Sequence, residues 1–503
     1  MARGDVVIVG GGTSGAVLAA RLSEDPARSV LLLEAGPDDA AYPEVVRVPE
    51  REYDAILSAA VGVQWGVPVG AASSPTLFYR GEVLGGTSAV NFMATVRGQP
   101  DDYDGWAAAG CDGWGWDDVL PAMRRAETDR DFGHQALHGD TGPITVQRWP
   151  EETWAACHRA LYDGAVELGV RPVDDINDPM QVPGVGVFPG SVQASGERLS
   201  VSQAYLDAEV RARANLTVRC EAPVARVLLE DGRAVGVELR SGEVIEAGEV
   251  ILCAGAIESP KLLLLSGIGP AGDLRALNID PVLDLPGVGA NLQDHVGLGC
   301  IYHRPEAETL VGSPAKTVLV GDTGRGRGVD FHVLACPISS SEAGGTLFQV
   351  FVFHLLPRSR GRLTLTSADP AAIPTLDLPL LDGDDLDDLA TVVELVGRWE
   401  QTAAFAAIGA SRLSPAGDLV AGSASRDGMR ALLDSSTYTY FHQVGTCAMG
   451  PDDDPDAVLD PHLRVRGVDG LRVADASAMP TIVRGNTYLG CVMLAERLAD
   501  LMA

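Results

Sequence analysis

A glycine-rich turn near the start of the chain has the residue types and spacing that hold a pyrophosphate. Gly10, Gly12 and Gly15 follow the GxGxxG pattern, between the apolar run of residues 5–9 and a segment with small residues at helical spacing. In a βαβ unit these glycines permit a tight turn, a close approach of the backbone to the phosphates, and close packing of helix and strand. The turn is therefore predicted to bind a dinucleotide.

A carboxylate follows this turn at the distance that ribose recognition requires. Glu34 comes about 20 residues after Gly15, at the end of a second apolar run, residues 29–33. A carboxylate at this point hydrogen-bonds the ribose hydroxyls, and its charge disfavours a 2′-phosphate. The pattern does not distinguish FAD from NAD, and a glycine turn without a ligand is the alternative interpretation.

Histidines offer a second kind of chemistry, because an imidazole exchanges a proton near neutral pH. His442 and Asn486 are widely separated in the sequence, so spacing alone does not pair them. His134 and His138 have the i, i+4 spacing of two metal ligands on a helix, but glycines flank them and favour a loop. His295 is predicted to be structural. The eight cysteines are scattered, and no metal site is predicted.

Composition limits the classes of protein to which the chain can belong. It has 503 residues, of which 46% are hydrophobic, and 69 acidic against 38 basic side chains give a net charge of −31. The apolar content excludes wholesale disorder, and the charge argues against a nucleic-acid partner. No apolar run is long enough for a membrane span, and the first residues are typical of a strand rather than a signal peptide. We therefore expect a cytoplasmic protein.

The order of apolar patterns predicts two domains that are woven together. A βαβ unit begins the chain, and residues 216–255 alternate as a β-meander with DG and SG turns. Between residues 300 and 435, the apolar strands VDFHVLAC, LFQVFVFHLL and GRLTLTS predict a separate antiparallel sheet. Residues 201–213 and 486–502 are predicted to be helical.

Five longer motifs occur in a fixed order along the chain. They are RGEVLGGTSAVN (80–91), GAIESPKLLLLSGIGP (255–270), LPGVGANLQDH (285–295), HQVGTCAMG (442–450) and VADASAMPTIVRGNT (473–487). In this order and spacing the sequence resembles the glucose–methanol–choline (GMC) family of FAD-dependent oxidoreductases. The resemblance extends from residue 5 to residue 500.

This resemblance implies a fold and a division of the chain. The expected architecture is an α/β FAD-binding Rossmann-like domain, interleaved with an α+β substrate domain built on an antiparallel sheet. The FAD-binding domain is predicted to comprise residues 1–150, 196–298 and 436–503. The substrate-binding domain is predicted to comprise residues 151–195 and 299–435.

The resemblance also implies a set of cofactor contacts. Some family members bind FAD covalently through a histidine, but Val90 occupies that position here, so we predict non-covalent FAD. Glu82 replaces the usual lysine or arginine, which removes a positive charge from this loop. The residues expected to contact FAD are Gly10, Gly12, Thr13, Ser14, Gly15, Glu34, Ala35, Arg80, Gly85, Gly86, Thr87, Asn91, Val224, Ala254, Asp475, Ala476, Asn486 and Thr487.

By the same resemblance, His442 and Asn486 match the catalytic pair of the family. His442 would take the alcohol proton while the flavin takes the hydride, and Asn486 would orient the alcohol oxygen. Tyr440, Phe441 and residue 352, in the strand LFQVFVFHLL, are predicted to line the substrate pocket. An uncharged primary alcohol, with an aryl alcohol favoured, is the expected substrate.

The resemblance does not identify the electron acceptor, and it leaves two alternative functions open. The electron acceptor is oxygen, a quinone, a protein, or a peptide-derived carrier. One alternative is a mycofactocin-linked dehydrogenase that passes electrons to a carrier. The other is a lyase on the same fold that contains FAD but performs no redox reaction.

Overall fold

The computed structural model describes most of the chain. The described residues are 3–42, 44–47, 62–67, 76–378, 383–415, 418–419 and 425–503. Two seven-stranded sheets dominate the structure and account for the two domain types in the sequence pattern.

The first sheet has a parallel centre built from the buried apolar runs of the sequence. Arg3–Val9 pairs in parallel with both Val30–Leu33 and Val244–Leu252. Because both faces of these strands are covered, they are apolar without alternation. The strand order is Val224–Glu230, Arg233–Leu239, Val244–Leu252, Arg3–Val9, Val30–Leu33 and Leu216–Arg219, with Leu471–Val473 also paired to Val244–Leu252.

Two helices pack side by side next to this sheet, and they bring the two ends of the chain together. Thr13–Leu22 begins directly after the glycine turn, and Thr487–Leu501 packs beside it. Both helices bury most of their residues. The glycine turn and the start of the C-terminal helix therefore lie at the same end of the sheet.

The second sheet is antiparallel and carries its own core. Its strand order is Ser411–Ser414, Val296–Arg304, Gly345–His354, Phe331–Ser341, Thr317–Gly321 and Gly184–Val187, with Thr437–Thr439 also paired to Val296–Arg304. Alternate side chains of the two central strands enter two different clusters, one on each face. Asp384–Trp399 packs its apolar face on the first of these clusters.

Shorter elements complete the described structure. Small sheets are formed by Glu127–Asp129, Ile144–Arg148 and Pro189–Ser191, by Gly62–Val67 and Thr76–Gly81, by Ile268–Gly269 and Leu283–Asp284, and by Arg362–Thr364 and Thr375–Asp377. Further helices are Glu44–Arg47, Pro100–Ala108, Trp116–Ala126, Ala156–Glu167, Val201–Tyr205, Ala208–Arg211, Gly255–Leu265, Ala271–Ala276, Ala403–Ala407 and Arg426–Ser436.

Three predicted elements differ from the structure. GRLTLTS does not join the second sheet, because Gly361 and Leu363 pair with the 289–292 segment instead. The helix predicted over residues 201–213 breaks where Asp207 caps a new helix by accepting the Val210 N–H. Leu216–Arg219 is not part of the meander, because it pairs in parallel with Val30–Leu33.

Candidate active site

A large cavity is lined by residues that come from both sheets. Its volume is about 480 Å³. The lining includes the glycine loops of the first sheet, His442, Asn486 and aromatic side chains of the second sheet. The sequence motifs therefore converge on one site.

The glycine turn has backbone angles and close contacts that exclude side chains at several of its positions. Gly10 has φ +100°, a conformation that L side chains rarely adopt. A Cβ on Gly15 would lie 1.9 Å from the Gly10 carbonyl oxygen, so Gly15 packs helix against strand behind the cavity wall. Gly86 has φ +54°, and a Cβ there would lie 2.7 Å from the Cα of Gly12. The two glycine loops thus meet at van der Waals distance at the cavity edge.

The start of the first helix favours an anion at this point. Thr13 and Ser14 line the cavity, and the first turn contains no acidic side chain. The partial positive charge of a helix N-terminus therefore faces the space between the glycine loops. This is the arrangement that binds a pyrophosphate.

Glu34 lies at the edge of the same cavity and is held by the backbone. Its Oε2 accepts the Gly11 N–H at 2.7 Å, and its Oε1 accepts the Gly36 N–H at 2.9 Å. Burial raises the pKa of Glu34 to about 7, although these N–H groups oppose the shift. Each oxygen retains a lone pair, so the carboxylate can also accept hydrogen bonds from ribose hydroxyls.

Asp475 connects the residues around Gly255, Ser259 and Ser477 by hydrogen bonds. Its Oδ2 accepts the Gly255 N–H at 2.8 Å and the Ser259 hydroxyl at 2.6 Å. Its Oδ1 accepts the Ser477 N–H at 2.8 Å and the Ser477 hydroxyl at 2.5 Å. Burial raises the pKa of Asp475, and these donors oppose the shift. Asp475 therefore shapes the cavity wall by joining loops, beside the place expected for a pyrophosphate.

Nearly all of the predicted cofactor residues line the cavity. Gly15 and Gly85 lie behind the wall, where Gly85, with φ +97°, leaves space for the Tyr42 hydroxyl. Val90 also lines the cavity, at the position expected for a covalent histidine. The cavity-lining residues of the predicted set are Gly10, Gly12, Thr13, Ser14, Glu34, Ala35, Arg80, Gly86, Thr87, Asn91, Val224, Ala254, Asp475, Ala476, Asn486 and Thr487. These donors, carboxylates and close backbone approaches fit FAD.

The two residues predicted to be catalytic, which lie far apart in the sequence, are in contact in the structure. Asn486 Nδ2 lies 3.2 Å from His442 Nε2, and both residues line the cavity. Asn486 is the N-cap residue of Thr487–Leu501, but its side chain makes no capping hydrogen bond. The amide is directed at His442 instead. The oxygen Oδ1 of Asn486 is buried and has no hydrogen-bond partner among the described residues.

The backbone around His442 is held in an uncommon conformation. Phe441 has φ +60°, which is unfavourable for a residue with a side chain. Thr439 Oγ1 accepts the Phe441 N–H at 3.0 Å, and Asp294 Oδ1 accepts the His442 N–H at 2.9 Å. Asp294 also accepts hydrogen bonds from Thr439 and Gln443. Burial raises the pKa of Asp294 to about 6, although these donors oppose the shift.

His442, the candidate base, is favoured in its neutral form. Burial lowers its pKa to about 3, and the nearby His332 and Arg80 add to the effect. Its second ring nitrogen, Nδ1, lies 2.9 Å from Nδ1 of His295. His295 is fully buried and was expected to be structural, but it directly contacts the predicted base.

Aromatic side chains form the wall beside His442. The Tyr440 ring stacks on Phe353 at 3.7 Å and on His442 at 4.2 Å between centroids. Phe441 and Phe351 also line the cavity. The Tyr440 hydroxyl is buried and interacts with the Asn486 side chain. A flat apolar ligand with one polar group fits this wall.

The prediction for residue 352 is wrong. This position is a valine, and Val352 belongs to the core cluster on the opposite face of the second sheet. Side chains alternate along a strand, so its neighbours Phe351 and Phe353 line the cavity in its place. The strand was correctly placed at the pocket, but its register was missed by one residue.

His138 belongs to a buried network of charges away from the cavity. Its Nδ1 lies 2.9 Å from Glu127, and its Nε2 lies 2.8 Å from Asp175. Burial opposes the charged ring, but hydrogen bonds to Asp129, Asp175 and Glu127 outweigh it and raise the pKa of His138 to about 10. The predicted loop is correct, but His134 is exposed and does not join the network. The other members are Asp129, Arg97 and Arg148.

Replacing His138 with glutamine is expected to lower the free energy of unfolding by roughly 1–3 kcal/mol, because the buried carboxylates lose one of their three cations and keep only Arg97 and Arg148. The folded pKa lies above the unfolded value of about 6.5. The stabilisation is therefore complete below about pH 6.5 and is lost as the pH rises towards 10. Urea melts across this range should show a falling stability for the wild type and a flatter profile for His138→Gln. The exposed His134→Gln is the matched control, and equal pH slopes in all three proteins would contradict the assignment.

Another buried cluster, whose side chains are of the types that bind metal ions, lies beside the second sheet. His354, Asp385 and Asp388 are buried, and their potential ligand atoms lie within 4.8 Å of one another. Arg325 and Arg327 both form ion pairs with Asp388, at 2.6 Å for Arg325. These cations already neutralise the carboxylate that a metal ion would need. The group is therefore interpreted as a charge cluster that joins the 322–330 loop to Asp384–Trp399.

Sequence reasoning missed two residues that position the candidate base. Asp294 fixes the His442 backbone, and His295 contacts its ring. Both belong to the motif LPGVGANLQDH, so the motif was the available signal.

Within the described residues, no helix has the length and apolarity needed to cross a bilayer.

Comparison with known proteins identifies the family of the chain. The chain matches the GMC oxidoreductase family over residues 4–297 for the N-terminal part and 357–495 for the C-terminal part. It is 37% identical to 5-(hydroxymethyl)furfural oxidase of Methylovorus sp. (strain MP688), covering 99% of this chain and 98% of that protein. It is 36% identical to oxygen-dependent choline dehydrogenase of Vibrio vulnificus (strain YJ016), covering 99% and 94%.

The fold is likewise shared with a solved structure. Pyridoxine 4-oxidase from Mesorbium loti superposes with a TM-score of 0.89 at 28% identity, covering 99% of this chain and 98% of that one. The two interleaved sheets, the glycine loops and the His442–Asn486 pair therefore occur in a chain that belongs to the GMC oxidoreductase family.

Proposed function

We propose that this protein is an FAD-dependent oxidoreductase that oxidises the CH–OH group of an alcohol to an aldehyde or ketone, with His442 as the general base. One observation carries the proposal. His442 Nε2 and Asn486 Nδ2 lie 3.2 Å apart in the cavity that also contains the dinucleotide glycine loops. The activities named for its relatives support the same reaction class.

The residues of the site divide the reaction between them. Bound FAD supplies the acceptor for the hydride that leaves the alcohol carbon. His442 Nε2 takes the hydroxyl proton as negative charge develops on the oxygen. The Asn486 amide donates a hydrogen bond to that oxygen and holds it beside the base. The Tyr440 and Phe353 rings orient the apolar part of the alcohol and exclude water.

An uncharged primary aryl alcohol fits this pocket best. The wall beside His442 is aromatic, and 5-(hydroxymethyl)furfural, the substrate named for one relative, carries its alcohol on an aromatic ring. Arg80 lines the cavity and lowers the pKa of His442, so its cation is close to the reacting group. Arg80 Nη1 donates a hydrogen bond to the Tyr79 carbonyl oxygen at 2.8 Å, and the nearby Asp294 favours the charged form of Arg80. A quaternary ammonium bound beside His442 would therefore be repelled by the Arg80 cation.

Benzyl alcohol and choline test this choice directly. Each alcohol would be mixed anaerobically with the holoenzyme, and the rate at which the visible flavin absorbance is lost would be measured. We expect benzyl alcohol to bleach the flavin and choline to do so at least about tenfold more slowly. Faster bleaching by choline would refute the proposed substrate class while leaving alcohol oxidation intact.

The FAD is proposed to be held without a covalent bond. Val90 is 3% exposed at the cavity wall and has no nucleophilic atom to attach to the flavin ring. Acid precipitation of the purified holoenzyme should therefore release all of its flavin into the supernatant. Yellow colour that stays with the precipitated protein would contradict this prediction.

A further inference from the structure

The histidine pair at the catalytic centre ends on a backbone carbonyl. His295 Nδ1 lies 2.9 Å from His442 Nδ1, and His295 Nε2 lies 3.1 Å from the carbonyl oxygen of Leu355. The two rings meet edge to face, with centroids 5.1 Å apart. His295 is also anchored through its own carbonyl, which accepts the Tyr440 N–H at 2.8 Å. Both rings therefore have fixed orientations.

The hydrogen bonds between Leu355, His295 and His442 determine which ring nitrogens carry protons. A carbonyl oxygen only accepts hydrogen bonds, so His295 Nε2 must carry a proton to bond to Leu355. A neutral His295 then has a lone pair on Nδ1, and the proton between the rings belongs to His442 Nδ1. A neutral His442 with its proton on Nδ1 has its lone pair on Nε2. That nitrogen faces Asn486 Nδ2, which is a donor.

The alternative arrangements are disfavoured by burial. Reversing both rings would place the Nε2 lone pair of His295 against the Leu355 oxygen in a fully buried place, with neither satisfied. A doubly protonated His295 would be a buried cation. Burial, with His442, His332 and His354 nearby, holds the pKa of His295 well below its usual value. Both rings are therefore neutral.

We propose that His295 is a positioning residue that keeps His442 in the tautomer protonated at Nδ1, so that Nε2 presents its lone pair to the alcohol. His295 thereby does for His442 what a buried carboxylate does for the histidine of a Ser-His-Asp triad. It differs in that the Leu355 carbonyl, rather than a charge, fixes the proton. The inference rests on the proposed role of His442 as base.

The tautomer is measurable without turnover. In holoenzyme with ¹⁵N-labelled histidine, protonated and unprotonated ring nitrogens resonate at separate shifts, and the His442 signals are those missing from His442→Gln. We expect His442 Nδ1 to be protonated and Nε2 to be unprotonated in the wild type. In His295→Leu this preference should be lost. A wild-type His442 protonated at Nε2 would overturn the proposal, whatever the enzyme oxidises.

The rate of flavin reduction supplies a second test, in which one variant loses activity and another is expected to recover it. His295→Leu removes the acceptor and should slow anaerobic flavin reduction by about 10²-fold, with FAD content unchanged. His295→Asn places an amide oxygen where Nδ1 was and should recover reduction to within about tenfold of the wild type. Equal rates for His295→Leu and wild type would overturn the proposal, as would equal losses in the leucine and asparagine variants.

His158→Leu is the matched control for the loss of a buried histidine. His158 is 1% exposed, and its Nε2 lies 2.7 Å from the Pro314 carbonyl oxygen, away from the cavity residues. It shares the burial and the carbonyl bond of His295 but contacts no base. We expect its rate of flavin reduction and its His442 tautomer to match the wild type. A rate loss equal to that of His295→Leu would assign the effect to packing and overturn the proposal.

Discussion

Replacing His442 with alanine is expected to slow flavin reduction by the best alcohol by about 10²–10⁴-fold. In the proposed mechanism the Nε2 lone pair accepts the proton, and Asn486, a neutral amide at 3.2 Å, cannot replace it. The variant should bind FAD normally, because it leaves unchanged the glycine loops and Glu34, which are expected to hold the pyrophosphate and the ribose. Stopped-flow reduction without oxygen measures the step directly.

Two readouts separate loss of the base from loss of structure. The flavin-to-protein ratio of His442→Ala should match that of the wild type, and its thermal unfolding should show one cooperative transition, with the melting temperature lowered because His295 loses its partner and Tyr440 loses a stacked ring. The solvent isotope effect on flavin reduction should rise, because removal of the hydroxyl proton then limits the step. Near-normal reduction by His442→Ala would show that another group takes the proton.

Gly15→Ala is expected to give a protein without bound FAD. The new Cβ would lie 1.9 Å from the Gly10 carbonyl oxygen, so the helix and the glycine turn must move apart. Overpacking of this kind costs about 1–3 kcal/mol or more, and here it distorts the loop expected to hold the pyrophosphate. The flavin absorbance of the purified protein, relative to its absorbance at 280 nm, measures the loss.

Gly105→Ala is the matched control for this substitution. Gly105 lies within the helix Pro100–Ala108, is exposed, and a Cβ there would meet no atom within 4 Å. Alanine is expected to raise stability by about 0.5–1 kcal/mol and leave the flavin content unchanged. Full flavin content in Gly15→Ala would show that the turn tolerates a side chain and does not require glycine for close packing.

The parts of the fold that local chemistry determines were predictable from the sequence. The GxGxxG turn, the strands that flank it and Glu34 need only a short segment to specify them, and the structure places them as expected. The two sheets followed from the change from continuous to alternating apolar patterns. Positions of side chains within a strand were less secure, because a shift of one residue reverses the face, as residue 352 shows.

Long-range contacts in the site were not predictable from spacing. His442 and Asn486 were paired through the family resemblance, and only the packing of Thr487–Leu501 near the glycine turn brings them to 3.2 Å. The roles of His295 and Asp294 depend on individual hydrogen bonds across the second sheet. No periodicity encodes such bonds. The domain boundaries at residues 151, 196, 299 and 436 stay predictions.

The most direct test of the account is anaerobic reduction of the holoenzyme by benzyl alcohol and by benzyl alcohol deuterated at the reacting carbon. We expect complete bleaching of the flavin, slowed severalfold by deuterium, because the hydride leaves that carbon. Admitting air afterwards distinguishes an oxidase, which recovers its colour at once, from a dehydrogenase that needs another acceptor. A yellow protein that no alcohol bleaches would contradict the proposed reaction and favour a non-redox enzyme on this fold.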